Sequence, residues 1–204
     1  MQTSTAITIP TPGSPMLGGF FVERFRINEQ AFKLIVAPKV EGDHNDNIIW
    51  IGNNKDVPGA KSYDDGLANT LAMAEAGSKL AKWALDLRIG DYDDWYLPSQ
   101  DELQIMYRWL KPTTEENWCY ARSGINLSAI DPTRPYTPKY PVQTLAALFQ
   151  AGGEQAFDPT WYWSSTQHAA NSDCAWCQSF SGGNQVYGNK NNKLRARAVR
   201  RVAI

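Results

Sequence analysis

A chain of 204 residues has room for one substantial domain or two small ones. With 43% apolar residues, 20% charged residues and a formal net charge of −1, it is a globular composition, with no general pull toward nucleic acid or an anionic membrane. The eight Trp suit a compact, loop-rich fold that fills an irregular core with large rigid side chains. No long apolar run points to membrane insertion, and the N-terminal residues lack the basic flank of a secretion signal. The expectation is a product made in the cytoplasm.

Residues 1–16, rich in Thr, Ser and Pro, read as a flexible arm. Gly18–Ile27 and Ala31–Ala37 read as strands joined by the polar turn Asn28–Gln30, with a third short strand at Asn47–Ile51. These N-terminal strands, residues 17–59, serve either for attachment and oligomerisation or as the start of the main domain. Ser62, followed by Asp64 and Asp65, is the expected N-cap of a helix running to about Leu87, stopped by Gly90. Ser99 with Glu102 three residues on is a capping box for a second helix, which Pro112 ends. Five prolines between residues 111 and 142 predict a long ordered loop, and residues 143–150 a short helix or turn. Short strands follow at Trp161–Thr166, Ala175–Phe180 and Leu194–Val202, with a turn at Gly182–Asn184. Strands and helices are segregated along the chain, which argues for an α+β fold with small antiparallel sheets and long loops.

The segment between residues 168 and 194 is crowded with Asn, Ser, Gly, Cys and Tyr and has no sequence reason of its own to be ordered. Short polar side chains and Tyr adapt to a partner at low entropic cost, so the segment reads as a displayed binding face. Tyr187 sits among Asn residues where folding demands no aromatic, which favours a contact role. Tyr162, Trp163 and Trp176 could form a sugar-stacking platform, but aromatics in the strands of a small domain more often fill its interior. Arg195, Arg197, Arg200 and Arg201 read as supports for neighbouring loops rather than as an anion site. Asp91, Asp93 and Asp94 read as a solvated turn.

Three cysteines, Cys119, Cys174 and Cys177, are an odd count, and Cys174-x-x-Cys177 is only half of a zinc motif. In a strand, positions i and i+3 also point to opposite faces. No metal or other cofactor is expected. His44 and His168 are isolated, and no nucleophile stands with a base, so catalysis is not expected either.

Trp95–Ser99 with Glu102 and Leu103, then Tyr162–Thr166, Ala175–Trp176 and Arg197–Val202, together resemble a C-type-lectin-like domain. The family is the one found at the C-terminus of collagen-like bacterial adhesins and in phage and prophage proteins. The resemblance covers residues 60–204 and implies a lectin-like α+β fold, two helices flanking small sheets, with the two ends joined by strand pairing. The calcium-dependent Glu-Pro-Asn and Gln-Pro-Asp sugar signatures are absent. The polar tail also resembles the variable region of proteins diversified by retroelements, such as phage tropism determinants. There, positions encoded by NNC codons vary, and Lys, Gln, Glu, Met and Trp are never produced.

That rule marks His168, Asn171, Ser172, Asp173, Cys174, Cys177, Ser179, Ser181, Tyr187, Gly188, Asn189, Asn191, Asn192 and Leu194 as variable positions, and all of them except Gly188 as ligand-binding candidates. Gln167, Trp176, Gln178, Gln185, Lys190 and Lys193 are then fixed scaffold. The resemblance implies a non-catalytic receptor-binding adhesin of a phage or prophage tail, located in the virion. Its partners would be a host-surface protein or glycan, other tail proteins and its own copies, as a trimer. The competing expectations are a fixed virion component used in assembly and, on shared fold alone, a formylglycine-generating type of enzyme.

Overall fold

A computed structural model describes residues 9–119, 126–130 and 135–204. Strands β1 (Pro15–Met16), β2 (Gly19–Ile27) and β3 (Gln30–Val36) are followed by a short helix α1 (Lys39–Gly42) and β4 (Ile48–Ile49). Helices α2 (Gly66–Glu75), α3 (Lys79–Asp86) and α4 (Gln100–Leu110) come next. Strands β5 (Trp161–Gln167), β6 (Cys174–Ser179), β7 (Gln185–Asn189), β8 (Lys193–Leu194) and β9 (Val199–Ala203) complete the chain. They form three antiparallel sheets, ordered β1-β2-β3-β9, β4-β8 and β5-β6-β7. The α+β fold class holds.

The β2–β3 hairpin turns at Asn28, whose φ of 53° is a conformation that Asn tolerates better than most residues. On its far edge β3 pairs with β9, Phe32 opposite Ala203 and Val36 opposite Val199, so strands from the two ends of the chain share one sheet. The arm expected over residues 1–16 stops short of its assigned end. Gly13 donates to the Phe21 carbonyl at 2.7 Å, and Pro15 pairs with Phe20, which brings residues 13–16 into the sheet; residues 1–8 lie outside those described.

The single helix expected from Ser62 to Leu87 is two helices. Gly77, at φ 101°, ends α2 in the left-handed conformation that glycine adopts without steric cost. Ser78 then caps α3: its Oγ accepts from Ala81 N–H at 3.3 Å and donates to the Trp50 carbonyl at 2.6 Å. The cap of α2 is Asp65 rather than Ser62, whose hydroxyl instead receives the Asp65 N–H at 3.0 Å. The capping box of α4 forms as expected, with Glu102 N–H donating to Ser99 Oγ at 3.2 Å and Ser99 N–H to Glu102 Oε2 at 2.7 Å. Gly66 lies so close to this box that a Cβ there would sit 2.3 Å from Glu102 Oε2, so α2 starts with a residue that has no side chain.

The helix or turn expected over 143–150 is a 3-10 turn at Ala147–Phe149. Of the loop expected over 111–142, residues 120–125 and 131–134 lie outside those described. The strand expected over Leu194–Val202 is interrupted between β8 and β9, where Arg195 and Arg197 make only isolated bridges.

Three apolar clusters hold these parts together. One packs α4 against β2 and β3, through Val22, Leu34, Leu103, Met106 and Leu110. A second gathers Trp50, Leu80, Ala84, Trp163 and Cys177 between α3 and the β5-β6-β7 sheet. The third covers the other side of β2–β3 with Phe21, Ile35 and Trp95. Trp50, Trp95 and Trp163 are fully buried. At roughly 25 cal/mol per Å² over about 200 Å² of ring, each contributes at most about 5 kcal/mol of transfer free energy.

The arginine run works as support. Arg197 is fully buried and donates to the carbonyls of Ala37 and Gln155 at 2.9 and 2.7 Å. Arg195 pairs with Asp43 at 3.2 Å, and Arg201 with Asp65 at 2.7 Å. Arg200 grips Asp94 through two bonds of 2.6 and 2.9 Å, which takes that carboxylate out of the acidic turn read at Asp91–Asp94.

Candidate ligand-binding face

Alternation along β6 and β7 gives their sheet two unlike faces. Ala175 opposite Gly188 and Cys177 opposite Val186 face inward, onto Trp163 and Trp50. Cys174 opposite Asn189, Trp176 opposite Tyr187 and Gln178 opposite Gln185 form the outer face. Half of that outer face is covered. Gln185 Nε2 donates to the Gln100 carbonyl at 2.8 Å, under the start of α4, and Gln178 Nε2 donates to the Gly183 carbonyl at 2.8 Å. The other half is open, and its side chains are aromatic.

Tyr187 is 50% exposed and meets Trp176 edge to face at 5.6 Å between ring centres. His168 lies 4.1 Å from the Tyr187 ring and 5.5 Å from Trp176, and Tyr63, from the loop before α2, completes the group 6.4 Å from Trp176. Half-buried Trp176 has its Nε1 atom shielded from solvent, without a hydrogen-bond acceptor. A buried donor left without a partner costs about 1–3 kcal/mol. His168 Nδ1 accepts the Asn171 N–H at 3.0 Å, which assigns the ring proton to Nε2.

Two tight turns flank the aromatic group. In residues 168–174, His168 N–H donates to the Cys174 carbonyl at 2.9 Å, and Asp173 N–H to Asn171 Oδ1 at 3.1 Å. In residues 189–192, Asn191 N–H donates to Asn189 Oδ1 at 3.0 Å, and Asn192 N–H to the Asn189 carbonyl at 2.9 Å. The turns are stitched together by Lys190 N–H, 2.9 Å from the Asp173 carbonyl. Short Asn and Asp side chains bond their own backbone here, which orders the two turns beside the strands.

His168, Asn171, Ser172, Asp173, Cys174, Tyr187, Asn189, Asn191 and Asn192 therefore share one end of the sheet. Four expected contact residues do not belong there. Cys177 is 4% exposed on the inward face, its thiol pushed up to about 12 by burial. Ser179 is 3% exposed, and its hydroxyl accepts the Ser181 N–H at 3.3 Å in the hairpin turn. Ser181 is exposed, but at the opposite end of the hairpin. Leu194 is half-buried against the second cluster, paired with Ile48.

Sequence reasoning missed Tyr63, which no local signal connects to β6. It also grouped Trp176 with the core residues Tyr162 and Trp163, although the alternation Ala175, Trp176, Cys177 already points the indole the other way. The expected strands do not include β7, where Val186 and Tyr187 are the only strand-favouring residues among Gln, Gly and Asn.

Lys190 is fully buried: its ammonium lies over the Trp50 ring at 4.6 Å and donates to the Lys55 carbonyl at 2.7 Å and to Gln167 Oε1. Burial lowers its pKa to about 8. Gln167, Gln178 and Gln185 are buried as well, whereas Lys193 is exposed.

Residues 40–200 match the Lcl C-terminal domain. The chain belongs to this family. It is a C-type-lectin-like family of phage and bacterial proteins, which gives the chain a lectin-like binding role in a fold that is in general not catalytic. No curated protein matches the chain.

Proposed function

We propose that the protein is a receptor-binding adhesin of a phage or prophage tail, acting by recognition without catalysis. The observation that carries this reading is the open aromatic group Tyr63, His168, Trp176 and Tyr187 with its rim of Asn and Asp turns. Aromatic rings supply contact area at low entropic cost, and the rim supplies adaptable hydrogen bonds. The ligand is a host-surface protein or glycan. One such face is small, so display in several copies, as a trimer on the virion, raises avidity ~100-fold or more without new contacts.

Diversification by a retroelement is supported by the division of residue types. Gln167, Gln178, Gln185 and Lys190, which an NNC codon cannot encode, are buried and hydrogen-bonded, while Asn171, Asp173, Tyr187, Asn189, Asn191 and Asn192, which it can, are exposed. Exposed Lys193 and buried Cys177 and Ser179 depart from that division.

Two experiments test the reading. Tagged protein is assayed on host cells and on a glycan array; Tyr187→Ala and Tyr63→Ala are expected to lower binding tenfold or more, while Leu71→Ala, an exposed residue of α2, leaves it unchanged. Equal binding by all three variants would reject this face. In the encoding locus, a downstream near-repeat of the codons for residues 161–202 beside a reverse transcriptase is expected. Its absence would remove the diversification and leave a fixed binding face.

A further inference from the structure

Beyond the turn that joins β6 to β7, away from the Trp176–Tyr187 group, lies a cleft of about 480 Å³. It is lined by Trp118, Trp161, Glu115, Glu116, Ser181 and Asn184 among others. Trp118 is 69% exposed, an unusual position for the largest side chain. It is not there for want of an anchor. Its backbone N–H donates to the Gly182 carbonyl at 2.8 Å, and a Cβ on Gly182 would lie 3.0 Å from Trp118 Cδ1, so the ring is seated against a turn that leaves space for it.

The residue before it is fixed still more firmly. Asn117 is buried; its side chain accepts from the Tyr107 hydroxyl at 2.9 Å and donates to the Pro141 carbonyl at 2.9 Å. The segment that carries Glu115, Glu116 and Trp118 is therefore held in place before any ligand arrives.

The charges in the cleft have one sign. No Lys or Arg lines it, and neither carboxylate is in an ion pair among the described residues. Outside the cleft, Lys111 is 2% exposed and directs its ammonium at the carbonyls of Glu115 and Pro141, and Lys139 lines the neighbouring pocket that Glu115 and Glu116 also border. An anion is repelled by such walls, and a neutral apolar molecule leaves the carboxylates with nothing to bind. A cationic amine satisfies both features, because indole faces attract cations and the carboxylates supply the counter-charge.

We infer that the Trp118–Trp161 cleft is a second binding site, one that takes an organic ammonium group carried by an amino sugar or by a choline-type head group. The site stands apart from the face assigned to receptor binding and does not depend on it.

The test follows the indole N–H resonances of the full chain by NMR during titration with choline, with glucosamine, and with their neutral counterparts, the tert-butyl isostere of choline and glucose. The expected result is a saturable shift of the Trp118 signal with one or both cations and none with the neutral molecules. Choline alone identifies a head group as the source, and glucosamine alone an amino sugar. Trp118→Ala is expected to abolish the binding, and Glu115→Gln with Glu116→Gln to weaken it about tenfold or more. Tyr187→Ala leaves it intact, and the buried Trp50 and Trp163 signals report that each variant is folded. No shift with either cation, equal shifts with the neutral molecules, or loss of cation binding in Tyr187→Ala would each overturn the proposal.

Discussion

The two faces of the β5-β6-β7 sheet are built from the same kinds of residue and do opposite things. Inward, Trp163 is enclosed by Trp50, Ala175 and Cys177, and its N–H reaches the Ile48 carbonyl at 2.9 Å. Outward, one residue along β6, Trp176 is left half-open with its N–H unpaired. An indole with a partner for its polar atom is finished structure. One left half-open offers its ring as contact surface, and the inner face is what holds it at fixed geometry.

Breaking the inner face has the largest effect. Trp163→Ala is expected to cost about 3–5 kcal/mol, because it leaves both a cavity and an unpaired Ile48 carbonyl, and denaturant unfolding measures it. Lys190→Ala comes next, at about 2–3 kcal/mol, since the Lys55 carbonyl and Gln167 Oε1 lose their shared donor in a buried place.

A third variant probes the helix that covers half of the outer face. Burial pushes Glu102 from 4.5 up to about 7, against the hydrogen bonds it receives from Ser99 and Tyr96. A carboxyl that holds its proton more tightly when folded stabilises fully below pH 4.5, and loses that contribution as pH rises through about 7. Between those values the wild-type protein is expected to lose up to ~1.4 kcal/mol of stability per pH unit more than Glu102→Gln, which keeps the capping box. Burial also raises Asp43 and Glu23, so the difference between the two melting curves, not either curve alone, isolates Glu102. The smallest change in stability belongs to Tyr187→Ala, within about 0.5 kcal/mol, even though its effect on ligand binding is large. A Tyr187 variant that unfolded the protein would erase the distinction between the faces.

What the sequence disclosed was what its signals could reach. The Ser99–Glu102 box is written within four residues, and it formed. The arginine run was legible as support because such groups in a near-neutral chain find carboxylates and carbonyls. The break at Gly77 hid inside an apolar period that continues across it, where Gly77 takes the left-handed turn and Ser78 both caps α3 and bonds the distant Trp50 carbonyl. The binding face was half visible: the Asn-rich turns stand out by composition, but Tyr63 joins them only through the packing of α2 on β5. Cys177 and Ser179 show the limit of reading by permitted residue type, since a strand buries every second residue whatever the codon allows.

The pairing of β3 with β9 also has a mechanical side. Strands β2 and β9 both run antiparallel to β3; the chain enters this sheet beside Val36 and leaves it beside Phe32. Tension between those two points runs along the strands and across the backbone hydrogen bonds, loading them in shear. Bonds loaded that way yield together, as a row of rivets does, instead of parting one by one like a zip.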